Sequence, residues 1–526
     1  CVYKLYILMS KTPSIRELLT FYKNILEKSP QKKNSSYEFE VRFREEKINK
    51  QTYDEIFKTL SKYGFKISTT EYQLKIVPNE NSDIRVELTN LMNIQEYCKM
   101  NEFPLNANYI EKKSLMKDRK PVYNNDFAFR ASIGEEKEHV DNDDIMTPIK
   151  ENWTSSLKYF RYLYRTSLVH ENMPNIRIDM SVVRSNKTTQ KRNDGRRSKE
   201  IGSIAFLESD LLNQQPVYEV EIECINATTE LFKSDEMIAK IEKDIKTTIK
   251  YIVGAIQKSP FPISFSEISN IFTSYKKLLR YLNKGEKVDS YFIGPSSITL
   301  RKDNLIQDSG QEYVKDAYCI TDKADGDRKL LYIENGKLYF IDSRLNIQFT
   351  GVTTSLKIKP TLIDGEHITI DKRGNPINKY AAFDIYCYNG RDYRDKPFVE
   401  DRPNKATNDS RYIQLNLFMN ELNTSLSSKV LTMVTKTFFV VEPQTKQQKP
   451  TQPLSVGRGR GSTLPAWMTN PERSGPLSAQ SSMEYNCGLL LDFINSERYD
   501  YNTDGIIFTS KYEAVPKSPK KVTWKK

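Results

Sequence analysis

The sequence predicts an α+β protein of at least two domains, and three observations carry that reading. The chain has 526 residues, whereas a single hydrophobic core stops growing near roughly 250 residues. Stretches that alternate apolar and polar residues crowd positions 37–225, the period of antiparallel strands. New helical and strand patterns begin after position 265, beyond a Pro- and Ser-containing break.

In chain order, residues 14–28 (SIRELLTFYKNILEK) carry apolar side chains at helical spacing. The strand candidates that follow are YEFEVRF, DFAFRASI, RYLYRTSLV, IRIDMSVV and YEVEIEC. A helix is expected at 51–63, and a helical stretch at 229–258 closes a first domain spanning 12–258. SPFPIS at 259–264 reads as a linker. The second domain, 265–526, opens with a helix at 266–283 and continues in DAYCITD, KLLYIENGKLYFID, TLIDGEHITI and YAAFDIYCY. Asn335-Gly336 suits a type I′ hairpin turn. Residues 443–484 are rich in Pro, Gln, Ser and Gly and lack periodicity, which predicts a disordered insertion. Its GRGRG run at 457–461 would suit RNA and its prolines a protein partner; a passive surface loop has the same composition. Order is expected again at GLLLDFI, YNTDGIIFTS and VTWKK.

The net charge of +12 favours a polyanionic partner, nucleic acid or a phosphate-rich ligand. AT-rich codon usage accounts equally well for the many Lys, Asn, Tyr and Ile residues. The six cysteines form no Cys-x-x-Cys pair, which argues against a zinc ribbon or dithiol redox motif. Buried free thiols in a reducing compartment are expected instead. Three histidines argue against a His-based metal site. No apolar run reaches the ~20 residues of a membrane helix, so no membrane partner is expected. CVYKLYILM is too short for a secretory signal. The chain opens on Cys rather than Met, which leads us to expect a fragment or a conceptual translation.

The chemistry concentrates first in TDKADGDRK, residues 321–329. A lysine amine becomes a nucleophile when desolvation or neighbouring cations favour its neutral form. A strand leading into Lys323 would bury its stem and aim the amine into a cleft, Asp325-Gly326 would turn the chain, and Arg328 would meet an anionic or hydroxylated ligand. Alone, Lys-x-Asp-Gly is most often a surface turn. Here further carboxylate elements follow in order: Asp364-Gly365-Glu366, Phe383-Asp384 and Asp504-Gly505, with VTWKK last. Over residues 313–526 this order resembles the nucleotidyltransferase motifs of mRNA guanylyltransferases and of DNA and RNA ligases, an ATP-grasp-like α+β fold. The resemblance implies that Lys323 accepts the nucleotide and that Arg328 and Glu366 hold the ribose hydroxyls. It implies that Phe383 stacks on the purine, Asp504 helps bind the catalytic metal and Lys525 contacts the α-phosphate. The resemblance makes Arg344 in FIDSR a further, weaker candidate for a phosphate contact. The closing motif often reads Lys-Trp-Lys in that family; here it is Thr523-Trp524-Lys525, with Lys521 or Lys526 as substitutes. In that family an OB-fold usually follows this motif.

A second concentration lies in YEFEVRFRE and YEVEIEC. Alternate residues of a strand share a face, so Glu38, Glu40 and Arg42 point one way, as do Glu219, Glu221 and Glu223. Carboxylates at i and i+2 repel unless a cation neutralises them. One such strand reads as a solvated sheet face; two backed by apolar residues point to a divalent metal site. Arg130, Arg161, Arg165 and Arg177, with Asp179 beside the last, supply a cationic receptacle for a polyphosphate. The pattern over roughly 35–225 resembles the triphosphate tunnel metalloenzymes, which include RNA triphosphatases of fungi, protozoa and large DNA viruses. That resemblance implies an antiparallel eight-stranded β tunnel holding Mg²⁺ or Mn²⁺, with Glu38, Glu40, Glu221 and Glu223 as ligands and Glu219 close by. The family's basic-x-basic-x-basic strand is interrupted here by Leu163 between Arg161 and Arg165, with Lys158 as the expected substitute.

Joined in this order, the two domains resemble the mRNA capping enzymes of large nucleocytoplasmic DNA viruses and of yeast linear plasmids. The resemblance implies removal of the γ-phosphate from 5′-triphosphate RNA, then transfer of GMP from GTP through lysyl-GMP to the diphosphate end. It implies a cap methyltransferase and the transcription machinery as partners, and a cytoplasmic location (viral factory, virion or plasmid system), with the nucleus as the alternative. An ATP-dependent polynucleotide ligase and a catalytically decayed RNA-binding scaffold are the competing readings.

Overall fold

A computed structural model describes residues 14–28, 34–116, 121–186, 202–286, 288, 290–306, 314, 317–400, 409–440, 483–497 and 499–516, and the backbone of 521–525. The expected insertion at 443–484 lies outside the described residues save for its last two positions, which open a helix. The chain forms two compact units, Cys1–Ser266 and Glu267–Lys526.

The first unit contains β1 (Ser35–Phe43), β2 (Lys66–Pro78), β3 (Ile84–Leu88), β4 (Asn108–Ser114), β5 (Val122–Asn124), β6 (Phe129–His139), β7 (Lys158–Val169), β8 (Ile176–Ser185) and β9 (Val217–Cys224). Its helices are α1 (Ile15–Lys28), α2 (Lys50–Lys62), α3 (Leu91–Met100), α4 (Thr147–Glu151), α5 (Thr229–Lys233) and α6 (Asp235–Gln257). The strands run in the order β1-β9-β8-β7-β2-β3-β4-β6, and β1 pairs again with β6. Every pairing is antiparallel, so eight strands close into a barrel, with short β5 added beside β6.

Alternation explains which side faces in. Phe39, Val41, Phe43, Val220, Ile222, Ile178 and Met180 point outward into a buried core with Leu18, Leu19 and Tyr22 of α1, Ile56 and Leu60 of α2 and Ile238, Ile241 and Ile245 of α6. On the β2–β4 side, Leu74, Ile76, Ile84 and Val86 meet Ile94 and Tyr97 of α3 and Trp153. The barrel therefore carries its apolar surface outside, under helices, and turns its charged face to the interior.

The second unit has two sheets. One comprises β10 (Ser296–Thr299), β11 (Tyr318–Ala324), β19 (Phe439–Val440), β20 (Thr503–Ser510) and β21 (Lys521–Lys525), ordered β10-β21-β20-β11-β19. The other comprises β12 (Asp327–Glu334), β13 (Lys337–Ile341), β14 (Ile347–Thr353), β15 (Thr361–Ile370), β16 (Pro376–Tyr388), β17 (Arg391–Asp392) and β18 (Thr432–Thr435). Its order is β14-β13-β12-β15-β16-β17, and β18 joins β16 in parallel. Helix α7 (Phe265–Leu282) precedes both sheets. Leu415, Phe418, Met419 and Leu422 of α8 (Arg411–Ser425) cover the second sheet, and Leu490 of α9 (Met483–Asn495) packs on the first. Asn335 and Gly336 both have positive φ, +51° and +73°, as a type I′ turn between β12 and β13 requires. Asp325-Gly326 is not a hairpin turn: it carries the chain from the first sheet into the second.

Among the described residues, Cys98, Cys224, Cys319, Cys387 and Cys487 form no disulfide. Among the described residues no helix is long and apolar enough to cross a membrane.

Candidate active sites

The two sheets of the second unit bound a cavity of about 340 Å³ lined by Lys323, Asp325, Gly326, Arg328, Glu366, Phe383, Lys436, Asp504 and Ile507, among others. That volume suits a small-molecule ligand. Each side chain arrives by a local device. On β11 and β20, Asp322 pairs with Ile506 and Ala324 with Thr503, so Asp504 and Gly505 together oppose Lys323. This bulge turns Asp504 onto the Lys323 ammonium, and the two form an ion pair. The Lys323 side chain keeps 28% exposure: its stem is covered and its amine opens to the cavity. On β15 and β16, Asp364 pairs with Asp384 and Gly365 with Ala382, leaving Phe383 as the extra residue of a second bulge, aimed into the cavity.

Arg328 and Glu366 are direct cross-strand partners on β12 and β15. The Arg328 guanidinium donates to both oxygens of buried Asp364, at 3.0 and 2.5 Å, and to the Pro295 carbonyl at 2.6 Å. It also lies 5.8 Å from the centre of the Phe383 ring. Burial pushes the Glu366 carboxyl up to about 7, helped by Asp364 and opposed by Lys436, Arg328 and Lys323. Gly326 is required by proximity: a Cβ there would stand 2.8 Å from the His367 carbonyl oxygen and 2.9 Å from Glu366 Cγ.

Lys436, which no sequence pattern singled out, is the second lysine on the cavity wall. It is buried, donates to the Asp322 carbonyl at 2.9 Å and pairs with the Asp322 carboxylate at 3.1 Å. Tyr499 donates to the same carboxylate at 2.9 Å. Arg344 falls elsewhere. It is exposed on the β13–β14 turn, which Asp342 organises by accepting from the Arg344 and Asn346 amides, and it does not line the cavity. Lys525 lies on β21 opposite Ile507, and its side chain, like all of Lys526, is outside the described residues.

The barrel interior gathers the other predicted residues. Glu40 faces Glu223, and Arg42 faces Glu221, across β1 and β9. Arg177 faces Glu223, and Asp179 faces Glu221, across β8 and β9. The carboxylates are drawn to cations: Arg42 pairs with Glu221, Arg161 with Glu219 through both oxygens, and Arg177 with Glu223 and Asp179. Arg165 reaches Asp179 at 3.2 Å and Glu221 at 3.6 Å. Arg130 lines a cavity of about 280 Å³ with Glu38, Glu40 and Lys112. Lys112 holds Glu38 at 2.8 Å and Glu136 at 3.1 Å. Three interior cations, Lys75, Arg85 and Lys112, escaped the sequence reading because β2, β3 and β4 were not recognised as strands. Their alternation is present in YQLKIVP, IRVEL and YIEKK, and it is the signal that would have found them.

Lys158 is a correction. It lies an odd number of residues from Arg161, so its side chain leaves the opposite face of β7. It is fully buried beside Trp153 and donates to the carbonyls of Trp153 and Ser156. It cannot replace a tunnel cation at position 163.

A hard divalent cation suits this interior. Burial, Asp179 and Glu38 push the Glu223 carboxyl up to about 8 against the pull of Arg177. Burial and Glu136 likewise raise Glu38. Crowded, all-oxygen donors that resist ionisation are what a dication relieves. Glu38, Glu40, Glu221 and Glu223 could hold it, with Glu219 close by, each of them now drawn to a cation. Among the described residues no three carboxylates already stand as a cation cage, so the ion pairs must part to admit one.

Residues 234–452 match the family model of the mRNA capping enzyme catalytic domain. The match begins at the N-cap of α6, includes Lys323, Arg328, Glu366, Phe383 and Lys436, and ends before Asp504. A probable mRNA-capping enzyme of Acanthamoeba polyphaga mimivirus is 27% identical over 161 residues, 30% of this chain and 13% of that relative's length. Among solved structures, the RNA triphosphatase domain of a trifunctional mimivirus mRNA capping enzyme aligns with 44% of this chain and 96% of its own, at a TM-score of 0.30 and 20% identity. An S. pombe RNA triphosphatase aligns with 48% of this chain and 97% of its own, at 0.28 and 12%. A mycobacterial DNA ligase D complexed with ATP aligns with 44% and 59%, at 0.24 and 10%.

Proposed function

We propose, from the capping-enzyme catalytic match, that this chain caps RNA: the barrel removes the γ-phosphate of 5′-triphosphate RNA and the second unit adds GMP to the resulting end. One observation carries the reading: Lys323, Arg328, Glu366, Phe383 and Asp504, scattered over 182 positions of sequence, line a single cavity.

In the second unit the Lys323 amine attacks the α-phosphorus of GTP. A nitrogen–phosphorus bond forms, the α–β phosphoanhydride bond breaks and pyrophosphate leaves. The amine first gives up a proton, and Asp504 is the acceptor already paired with it. A β-phosphate oxygen of the RNA end then displaces Lys323, leaving GMP on the RNA. Glu366 accepts from ribose hydroxyls, Phe383 stacks on the base, and Arg328 is held rigid by Asp364 at the same wall. Lys436 favours guanine over adenine, because O6 and N7 are both acceptors while N6 is a donor. Mg²⁺ or Mn²⁺, when bound, neutralises phosphate oxygens at both sites. In the barrel, Glu38, Glu40, Glu221 and Glu223 would hold the cation, while Arg42, Arg130, Arg161, Arg165 and Arg177 orient the triphosphate. Cap methylation and contact with transcription machinery would follow from the product.

The test is covalent labelling. With radiolabelled GTP and Mg²⁺, the expected result is protein-bound label on a denaturing gel, absent in Lys323→Ala and absent with ATP. Labelling from ATP alone overturns the guanylyl reading, and no labelling from either nucleotide overturns the enzyme. Separately, Glu40→Ala is expected to abolish γ-phosphate release from triphosphate RNA.

A further inference from the structure

Leu163 puts no charge between Arg161 and Arg165 on the lumenal face of β7, and Lys158 faces away from it. We infer that Lys75 of β2 is a triphosphate-binding residue that supplies the missing cation. The inference rests on the triphosphatase reading of the barrel.

Register places it there. On paired strands β2 and β7, Lys75 stands opposite Arg161 and Gln73 opposite Leu163. Directly opposed residues point to the same side of a sheet, so Lys75 enters the lumen with Arg161 and Arg165, one diagonal step from Leu163. On the other flank Leu163 opposes Val183, and both are buried, so β7 and β8 offer an apolar wall where the expected cation would have stood. The Lys75 side chain is only 12% exposed, and its carboxylate partner is Glu87 at 3.0 Å. Glu87 also receives Arg85 at 3.5 Å. Two cations share one carboxylate, and Arg165 adds a third positive charge nearby. Burial, Arg85 and Arg165 accordingly push the Lys75 ammonium down, against the pull of Glu87. A buried cation repelled by two arginines marks a place that an incoming polyanion would stabilise.

The test uses the full chain, with γ-phosphate release from triphosphate RNA and calorimetric binding of inorganic tripolyphosphate. Lys75→Met is expected to raise KM roughly tenfold or more and to weaken tripolyphosphate binding comparably, the loss of one charge-assisted contact, with a smaller change in kcat. Lys75→Arg is expected to stay close to wild type. The double variant Lys75→Met with Leu163→Lys is expected to recover most of the lost affinity, because it moves the cation one diagonal step. If Lys75 serves only to pair Glu87, Lys75→Met lowers the melting temperature and leaves KM unchanged, and Leu163→Lys rescues nothing; that result overturns the inference. Wild-type protein that binds tripolyphosphate without releasing phosphate overturns the triphosphatase reading, while Lys75 still stands or falls by the binding comparison. Wild-type protein that binds none overturns both.

Discussion

Glu366 gives the nucleotide cavity a pH dependence of definite sign. Its carboxyl ionises near 7 in the folded chain, against 4.5 as its ordinary value. An ionised carboxylate is the stronger acceptor for a ribose hydroxyl, so labelling of Lys323 is expected to rise through pH 7. Glu366→Gln should remove that inflection and lower the rate by about 10- to 100-fold; labelling that still inflects at pH 7 in this variant refutes the assignment. Stability runs the other way. The unfolded chain ionises Glu366 first, so its contribution to stability falls as pH rises from 4.5 to 7 and stays reduced above. Glu366→Gln should therefore melt higher than wild type at pH 8. Gly326→Ala forces a Cβ against the β15 backbone, a contact no flexible side chain can relieve. About 1–3 kcal/mol of stability should be lost, with loss of labelling; unchanged melting would contradict the close approach. At this scale the sequence was informative wherever a motif had internal order. Lys323, Arg328, Glu366, Phe383 and Asp504 sit in recognisable short patterns and share one cavity. Lys436, alone in MVTKTFF, has nothing around it to mark it; only the Asp322 and Tyr499 contacts reveal its place. Arg344 failed for the converse reason, because a basic residue in a turn looks the same whether or not a ligand is near.

Among the elements, strand alternation was the strongest predictor, and it also corrects the one misplaced substitute. Lys158 belongs to the outer face of β7 by parity alone. Burial pushes its ammonium down to about 8, and Lys158→Met should leave the KM for triphosphate RNA unchanged while altering the melting temperature; a raised KM would return Lys158 to the lumen. Strands β2, β3 and β4 were missed because their polar faces carry Lys, Arg, Glu and Gln densely enough to read as loop. Burial of those polar side chains becomes visible only once the barrel closes. The carboxylates on β1 and β9 supply a further expectation. Glu223 ionises near pH 8 without a cation, and a dication binds only the ionised form. Mn²⁺ should therefore raise the melting temperature, and the rise should grow between pH 6 and 8. A rise independent of pH would place the ion elsewhere.

For the whole molecule, the division at 266/267 lets the two proposed activities be separated physically. Residues 1–266 alone are expected to release γ-phosphate, and residues 267–526 alone to label Lys323 with GMP. The family match starts at 234, the residue that caps α6, yet Ile238, Ile241, Ile245 and Ile252 of that helix belong to the core around the barrel. A fragment begun at 234 should carry an exposed apolar helix and aggregate, whereas one begun at 267 should remain in solution. Equal behaviour of the two would refute the assignment of α6 to the first unit. That there are two units was legible from length and from the break at 259–264. Closure of the barrel was expected only through the resemblance to the triphosphate tunnel metalloenzymes, because the β1–β6 pairing joins segments about a hundred residues apart and leaves no mark in either.

That closure constrains geometry beyond chemistry. A wall hydrogen-bonded around its full circumference has no lateral slot, so a polymer can present its terminus only lengthwise through a mouth. A 5′ end buried in a blunt duplex, or a circular strand with no end at all, should be processed far more slowly than a free single-stranded overhang bearing the same phosphates.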